Sequence, residues 1–328
     1  MQIRHFNTPW WLGNGHLQTS WGSFFRPEVD VVAQKLSIPL RDQACLNADA
    51  MGPDIQAAAA EQPKQVCILM HGLSGSSASH YIRGIQKTIF EQEPSLLTLA
   101  INHRGSLGHA CPAIETPILY HAGLVTDLQD ICAFVAKKWP NASISMVGIS
   151  LSGNMLVRAL GLGCLPLLSK AMAISVPFEL AMVSDQVDKG MGLLYRRYLI
   201  NRMKKIVLQK QAHTPFLTQP DAIHQYNSFW AFDNFVIAPM HGFRNVHHYY
   251  REASSRQYVG AIEQPLLIVQ ALDDPLVPVK AWPSPKQIPK NVEFEAYDRG
   301  GHVGFISPQG YWLEQRILQW LVDKPMEP

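Results

Sequence analysis

Residues 147–154 read VGISLSGN, and this stretch decides the interpretation of the whole sequence. The apolar run 143–147 before it predicts a strand, and the pattern 155–160 after it predicts a helix. A strand, a sharp turn and a helix, with Ser150 at the apex, expose a nucleophilic hydroxyl at the end of a sheet. Such a turn needs small residues two positions before and after the serine, because the backbone passes close to itself there.

Gly148 and Ser152 occupy those two positions. The usual pattern is G-x-S-x-G, so Ser152 departs from it. Serine is small and Gly153 follows directly, so we expect the turn to form. The alternative is an ordinary strand-to-helix turn, because short motifs also occur by chance.

The composition is that of a protein with a large core and little net charge. The chain has 328 residues, of which 47% are hydrophobic, and a formal net charge of +2. No long run of like charge occurs, which argues against nucleic acid as the main partner. The cysteines lack the spacing of metal ligands, and we expect thiols in a reducing compartment. They are Cys45, Cys67, Cys111, Cys132 and Cys164.

The sequence shows neither a signal peptide nor a membrane span. The first residues contain no apolar segment of the signal type. The most apolar later stretch, 159–178, is interrupted by glycine, proline and lysine, whereas a span needs about 20 mostly apolar residues. We therefore expect a cytoplasmic location.

Strands and helices alternate from residue 66 onward, which predicts a mostly parallel sheet with helices on both faces. The predicted strands are 66–70, 95–101, 143–147, 171–176, 265–271 and 292–297, and the predicted helices are 81–91, 125–138, 155–160 and 311–322. Residues 178–260 lack a convincing buried strand. We expect a single domain, 1–328, with a mainly helical lid inserted at about 178–260.

The N-terminal part is harder to interpret. Residues 29–39 and 44–51 predict two strands, and the aromatic, glycine-rich segment 9–19 predicts an ordered loop that packs onto the domain. Thr126 followed by Gln129 predicts a capping box at the start of its helix.

A serine hydroxyl is a weak nucleophile at neutral pH and needs a base that a carboxylate orients. The apolar run 266–270 ends at Asp273 and Asp274, which places a carboxylate at a strand end. We favour Asp274 and keep Asp273 as the alternative, although either could simply cap the turn. The last strand leads to His302, which glycines flank, so its loop can reach Ser150. The alternative for His302 is an exposed loop residue without a role.

An acyl-transfer site also needs two backbone N–H groups for the developing oxyanion. Leu151, next to the serine, supplies one, and Leu73, in the turn 71–77 after an early strand, supplies the other. A phosphate-binding loop is excluded there because no G-K-[ST] follows.

Six stretches together resemble the YheT-like branch of the α/β-hydrolase fold superfamily. They are 16–19 (HLQT), 71–75 (HGLSG), 102–105 (NHRG), 148–151 (GISL), 273–275 (DDP) and 300–305 (GGHVGF). The resemblance covers nearly the whole chain. It implies a serine hydrolase with Ser150, Asp274 and His302 as its triad. It further implies short- to medium-chain esters or acylglycerol-type lipids as substrates.

The same residues permit other interpretations. An alcohol in place of water would make the protein an acyltransferase, and loss of turnover would leave a binding protein of the same fold. Neither a metal nor an organic cofactor is required, and the sequence does not predict the oligomeric state. We expect Arg104 to pair with Asp127 rather than to bind an anion. Residues 195–206 mix basic and apolar side chains, so the lid is a candidate for weak contact with a membrane surface, although a solvated helix is the simpler interpretation.

Overall fold

The computed structural model describes residues 2–56, 62–106, 118–213 and 219–323. A nine-stranded sheet runs through the molecule in the order β1-β9-β8-β7-β6-β4-β5-β3-β2. Its strands are β1 Ile3–Arg4, β2 Gln34–Pro39, β3 Cys45–Met51, β4 Gln65–Met70, β5 Leu96–Asn102, β6 Ser143–Ile149, β7 Leu168–Ile174, β8 Leu266–Ala271 and β9 Val292–Tyr297. Only the β2–β3 and β3–β5 pairings are antiparallel. All the other strand pairs of the sheet are parallel, so the loops after these strands meet at one edge.

Helices cover both faces of the sheet. The helices are α1 Gly15–Phe25, α2 His80–Gln92, α3 Thr126–Lys138, α4 Leu151–Gly161, α5 Leu180–Val187, α6 Gly192–His213, α7 Phe229–Phe232, α8 Ala238–Met240, α9 Val246–Ala253 and α10 Trp312–Leu321. Side chains alternate along each strand, so β4 places Ile68 in one core cluster with α3 and α4. Its neighbour Leu69 joins the other cluster with α2 and α10. Burial on both faces explains why these strands are apolar throughout.

The segment between β7 and β8 is helical where it is described. Helices α5 to α9 and several shorter turns form it, and they enclose a third apolar cluster that includes Ile200, Val207 and Phe232. The expected α/β class, the mostly parallel sheet and the helical insertion are therefore confirmed. None of the helices within the described ranges has the length and hydropathy needed to cross a bilayer.

Three local predictions are wrong. Residues 15–19 belong to helix α1 rather than to a loop, and the Asn14 side chain caps it by accepting a bond from the His16 amide at 2.8 Å. Strand β2 begins at Gln34 instead of residue 29. The capping box at Thr126 is absent, because Val125 precedes the helix and makes no side-chain cap.

The cysteine prediction is also corrected. Cys45 is disulfide-bonded, whereas Cys67, Cys132 and Cys164 are free. Cys111 lies outside the described residues. The spacing of cysteines along the sequence did not predict this bond, because spacing does not show which residues are close in space. The expected cytoplasmic location rested partly on free thiols, and it stays a prediction.

Candidate active site

Ser150 lies at the sharp turn between β6 and α4, as the sequence predicts. Its backbone has φ 54° and ψ −117°, a conformation that costs a non-glycine residue about 1–3 kcal/mol. The turn is fixed because the Ser150 amide donates to the Ile174 carbonyl at 2.8 Å. Gly148 is required here, since a Cβ on it would lie 2.5 Å from the Ser152 carbonyl oxygen. The strained turn points the hydroxyl away from the sheet.

His302 and Asp274 meet Ser150 at this edge of the sheet. The Nε2 atom of His302 lies 2.8 Å from Ser150 Oγ, and its Nδ1 atom lies 2.8 Å from Asp274 Oδ2. These distances form an unbroken chain of hydrogen bonds from hydroxyl to imidazole to carboxylate. Three side chains that are far apart in sequence therefore have the arrangement that activates a serine nucleophile.

The two adjacent carboxylates have different partners. Asp274 is buried, and its second oxygen, Oδ1, accepts bonds from the amides of Leu276 at 2.8 Å and Val277 at 3.0 Å. Asp273 Oδ1 instead accepts from the Gly301 amide at 2.8 Å. Asp274 therefore contacts the imidazole itself, while Asp273 contacts the loop that carries it.

Helix α1 also holds the histidine loop, which sequence reasoning missed. Gln18 is fully buried, and its Nε2 donates to the carbonyls of Leu12 at 3.1 Å and Ile306 at 3.0 Å. Its Oε1 accepts from the Ile306 amide at 2.7 Å. The Thr19 hydroxyl oxygen accepts from the His302 amide at 2.8 Å. The HLQT stretch was a usable signal, because a glutamine and a threonine in an otherwise apolar aromatic segment suggest buried hydrogen bonding.

Replacing Gln18 with leucine should lower kcat for ester hydrolysis about 10- to 100-fold. Leucine has a similar size but leaves three backbone groups unpaired, and a displacement of about 1 Å at a catalytic group can cost 10²-fold. Steady-state kinetics and thermal melting of both proteins would measure this. Gln92→Leu is the control, because the Gln92 side chain is exposed and donates to Gln315 on the surface. Equal kcat values for Gln18→Leu and the control would show that α1 does not position the histidine.

The turn after β4 lies beside the nucleophile. A Cβ on Gly72 would approach the Ser150 Cβ to 3.1 Å, so glycine permits this close passage. The Gly72 amide donates to the Tyr81 hydroxyl at 3.0 Å, and the Ser74 amide donates to the Tyr120 hydroxyl at 2.6 Å. The Leu73 amide between them has no acceptor among the described residues.

Leu151 is the first residue of α4, so its amide has no partner within the helix. The positive end of the helix dipole lies at the same place. The predicted oxyanion donors, Leu73 and Leu151, thus belong to the two segments that flank Ser150. Both residues line a cavity that Ser150 also lines.

Ser152, the departure from the usual motif, ties the turn to two buried histidines. Its hydroxyl donates to the His71 carbonyl at 2.5 Å and lies 2.7 Å from His103 Nε2. The His103 amide in turn donates to His71 Nε2 at 3.3 Å. Burial lowers the pKa of His71 to about 4 and holds the pKa of His103 well below 6.5, so both rings are neutral. The serine therefore holds the β4 turn against the nucleophile.

The 102–105 stretch supports the site without lining it. Asn102 accepts a bond from the Ser77 amide at 2.8 Å and so fixes the end of the 71–77 turn. Arg104 donates to both carboxylate oxygens of Asp127, at 2.6 and 2.7 Å, and to Asp42 at 2.8 Å. The predicted pairing of Arg104 with Asp127 is confirmed, and the arginine is buried in a structural role.

Two cavities are lined by both Ser150 and His302. The larger has a volume of about 680 Å³ and lies between α1, α2, α10 and the lid helix α6. Leu17, Leu194 and Leu199 are among its apolar lining residues. The smaller has a volume of about 90 Å³ and lies beneath the lid. No group of three or more histidines, cysteines or acidic residues in the described part of the chain is placed to hold a metal ion.

Comparison with known proteins identifies the family. A family model described as alpha/beta hydrolase fold matches residues 66–308. The Pyrococcus furiosus esterase Pf2001 superposes with a TM-score of 0.57 over 98% of this chain and 99% of that one, at 15% identity, which supports the fold alone. The chain belongs to the α/β-hydrolase family.

Sequence relatives narrow the assignment to the YheT-like branch. YheT of Escherichia coli (strain K12), which carries an esterase name, is 33% identical over 94% of this chain and 91% of its own. The monoacylglycerol lipase ABHD2 of Danio rerio is 26% identical over 96% of this chain and 78% of its own. The phospholipase ABHD3 of Homo sapiens is 26% identical over 98% of this chain and 79% of its own. These are relatives of the esterase and lipase type.

Proposed function

We propose that the protein hydrolyses carboxylic esters through an acyl-enzyme. The observation that carries this proposal is the hydrogen-bond chain from Ser150 through His302 to Asp274 at the junction of two cavities. His302 Nε2 is within reach of the serine proton and acts as the base. We further propose that residues 1–328 form one domain, with the lid at about 178–260.

The reaction has two halves. Ser150 Oγ attacks the ester carbonyl as His302 takes its proton, and the amides of Leu73 and Leu151 stabilise the oxyanion. His302 then gives the proton to the leaving alcohol, so that the acyl group remains on Ser150. Water, deprotonated by His302, attacks the acyl-enzyme, and collapse releases the acid and restores the serine. Asp274 holds the imidazole in orientation and stabilises its charged form throughout.

The larger cavity supports a lipid-like acyl group. Its volume of about 680 Å³ lies within the usual range for ligand sites, roughly 300–1,000 Å³. Its apolar lining supports short- to medium-chain esters or acylglycerol-type lipids. Two relatives carry the names monoacylglycerol lipase and phospholipase, which favours a lipid ester.

Rates across nitrophenyl esters of increasing acyl length test this proposal. We expect a burst of nitrophenol at short times and a rate maximum at a short or medium chain length. The absence of both burst and turnover would leave a binding protein of this fold. If an added alcohol is converted into a new ester in preference to hydrolysis, the protein is an acyltransferase.

We propose in addition that the mouth of the larger cavity contacts anionic lipid surfaces. Large apolar side chains are exposed on helices α1 and α6 and beside them, including Trp10 at 93%, Phe24 at 75%, Phe25 at 62% and Leu194 at 63%. Contiguous exposed apolar surface commonly marks an interaction site. Helix α6 contains no acidic residue and has several basic ones, which is the charge pattern of helices that lie on anionic bilayers.

The double variant Trp10→Ser, Phe25→Ser should bind phosphatidylglycerol vesicles at least about 10-fold more weakly, because it loses two exposed aromatic anchors. Sedimentation with vesicles would measure binding. Leu167→Ser is the matched control, since Leu167 is 50% exposed and precedes β7 at the opposite edge of the sheet. Equal binding of wild type and double variant, or no binding by either, would exclude this surface.

A further inference from the structure

The smaller cavity differs from the larger one in chemistry. It lies on the lid side of Ser150 and His302 and contains a buried carboxyl group, Asp233, beside Tyr250 and Ser184. At about 90 Å³ it is far below the size of a drug-sized ligand site, so it admits only a few heavy atoms. The larger cavity is the proposed site of the acyl chain, so the small cavity is available to another part of the substrate.

Asp233 is 7% exposed, and few hydrogen bonds replace the water that its carboxyl group loses on burial. Its Oδ2 accepts one hydrogen bond, from the Tyr250 hydroxyl at 2.8 Å, and that hydroxyl accepts one from Ser184 at 2.9 Å. Among the described residues, no lysine, arginine or histidine pairs with this carboxyl group, and its Oδ1 has no hydrogen-bond partner. A carboxyl group buried in this way is costly for the fold. The cost is offset if the group serves a ligand.

Two further features of Asp233 support a role in ligand binding. Asp233 begins a π-helical turn, Asp233–Ile237, and such turns occur often at functional sites. Burial raises the pKa of Asp233 to about 7, so near neutral pH the group can either donate or accept a hydrogen bond.

A second polar group completes the lining. His121 is buried at the same cavity, and its Nδ1 accepts a bond from the Gly123 amide at 3.2 Å. Its proton is therefore on Nε2, which has no acceptor among the described residues. Two residues that line the small cavity thus carry a donor and an acceptor that have no hydrogen-bond partner among the described residues.

We infer that the small cavity binds a hydroxyl-bearing part of the substrate, a short polyol of about glycerol size, with Asp233 as its main hydrogen-bond partner. This inference rests on the proposed ester hydrolysis. The polyol is the alcohol half of the ester, and Asp233 sets specificity without taking part in proton transfer. A site built to bond a hydroxyl discriminates strongly against an analogue that lacks it, because its own polar groups are then left unpaired.

The test compares two butyrate esters, 1-monobutyrylglycerol and propyl butyrate, which differ only by two hydroxyl groups. We expect wild type to have a kcat/KM at least about 10-fold higher for the glycerol ester. Asp233→Ala should reduce this ratio to near one. Asp233→Asn, which keeps hydrogen bonding, should retain part of it. Asp221→Asn is the matched control, because Asp221 is an exposed carboxylate of the lid segment and should leave the ratio unchanged.

Each outcome decides the question. An equal kcat/KM for both esters in wild type, or an unchanged ratio in Asp233→Ala, would overturn the inference while leaving ester hydrolysis intact. If neither ester is hydrolysed, the proposed function itself fails. Should Asp233→Ala not fold, Asp233→Asn and Tyr250→Phe decide instead. A ratio at least about threefold lower in both supports the polar subsite, and an unchanged ratio overturns it.

Discussion

Replacing Ser150 with alanine should reduce kcat for ester hydrolysis by about 10⁴- to 10⁶-fold, the range found when single members of a catalytic triad are removed. The variant loses the oxygen that lies 2.8 Å from His302 Nε2, and no acyl-enzyme can form. The fold should survive, because among the described residues the Ser150 hydroxyl bonds to the His302 side chain alone. We therefore expect a melting temperature close to that of wild type.

Ser143→Ala is the matched control for this experiment. Ser143 lies on the same strand but is exposed at its other end, so its loss should leave kcat unchanged. Ser150→Ala retaining more than about 1% of wild-type kcat would contradict the assignment of the nucleophile.

The second large effect is a loss of folding stability at acid pH. The free energy of unfolding should fall steeply between pH 7 and pH 5, because several histidines are buried as neutral rings. Burial lowers the pKa of His71 to about 4, and burial together with neighbouring charges lowers the pKa of His103 and His121 well below 6.5. Below pH 6.5 the unfolded chain binds protons that the folded chain does not, so acid favours unfolding. At about pH 5 each such ring costs about 2 kcal/mol.

Buried carboxyl groups act in the opposite direction. The raised pKa of Asp233 means that the folded chain binds this proton more readily, so acid relieves its cost. Burial also raises the pKa values of Asp127 and Asp273. The histidines outweigh these groups, because His80 and His241, whose pKa values burial lowers to about 4, add to the three fully buried rings.

Thermal melting at a series of pH values would measure the effect. His241→Gln should weaken the pH dependence, whereas His224→Gln should not, since His224 is exposed. A melting temperature that stays constant from pH 7 to pH 5 would contradict this account of the buried histidines.

The sheet and the turn at Ser150 could be predicted because their signals are local. Apolar runs and small residues at fixed spacing define β4 to β9 wherever they occur in a chain. The site could be predicted in outline for the same reason, since Asp274 and His302 each follow a strand. Their roles remain proposals that the short distances support.

Helix α1 could not be recognised in the same way. It begins at Gly15, contains Gly22 and lacks a clear apolar stripe, so its sequence favours a loop. Glycine is needed at position 15, because a Cβ there would lie 1.9 Å from the Asp273 carbonyl oxygen. The bonds from Gln18 to Ile306 join residues 288 positions apart, and no local pattern encodes such a contact.

Covalent labelling with a fluorophosphonate, followed by mass spectrometry of the peptides, tests whether Ser150 is the nucleophile. We expect one phosphonyl group per chain on Ser150, slower labelling in His302→Ala, and normal labelling in Ser143→Ala. Label on another residue, or equal labelling of wild type and Ser150→Ala, would contradict this assignment.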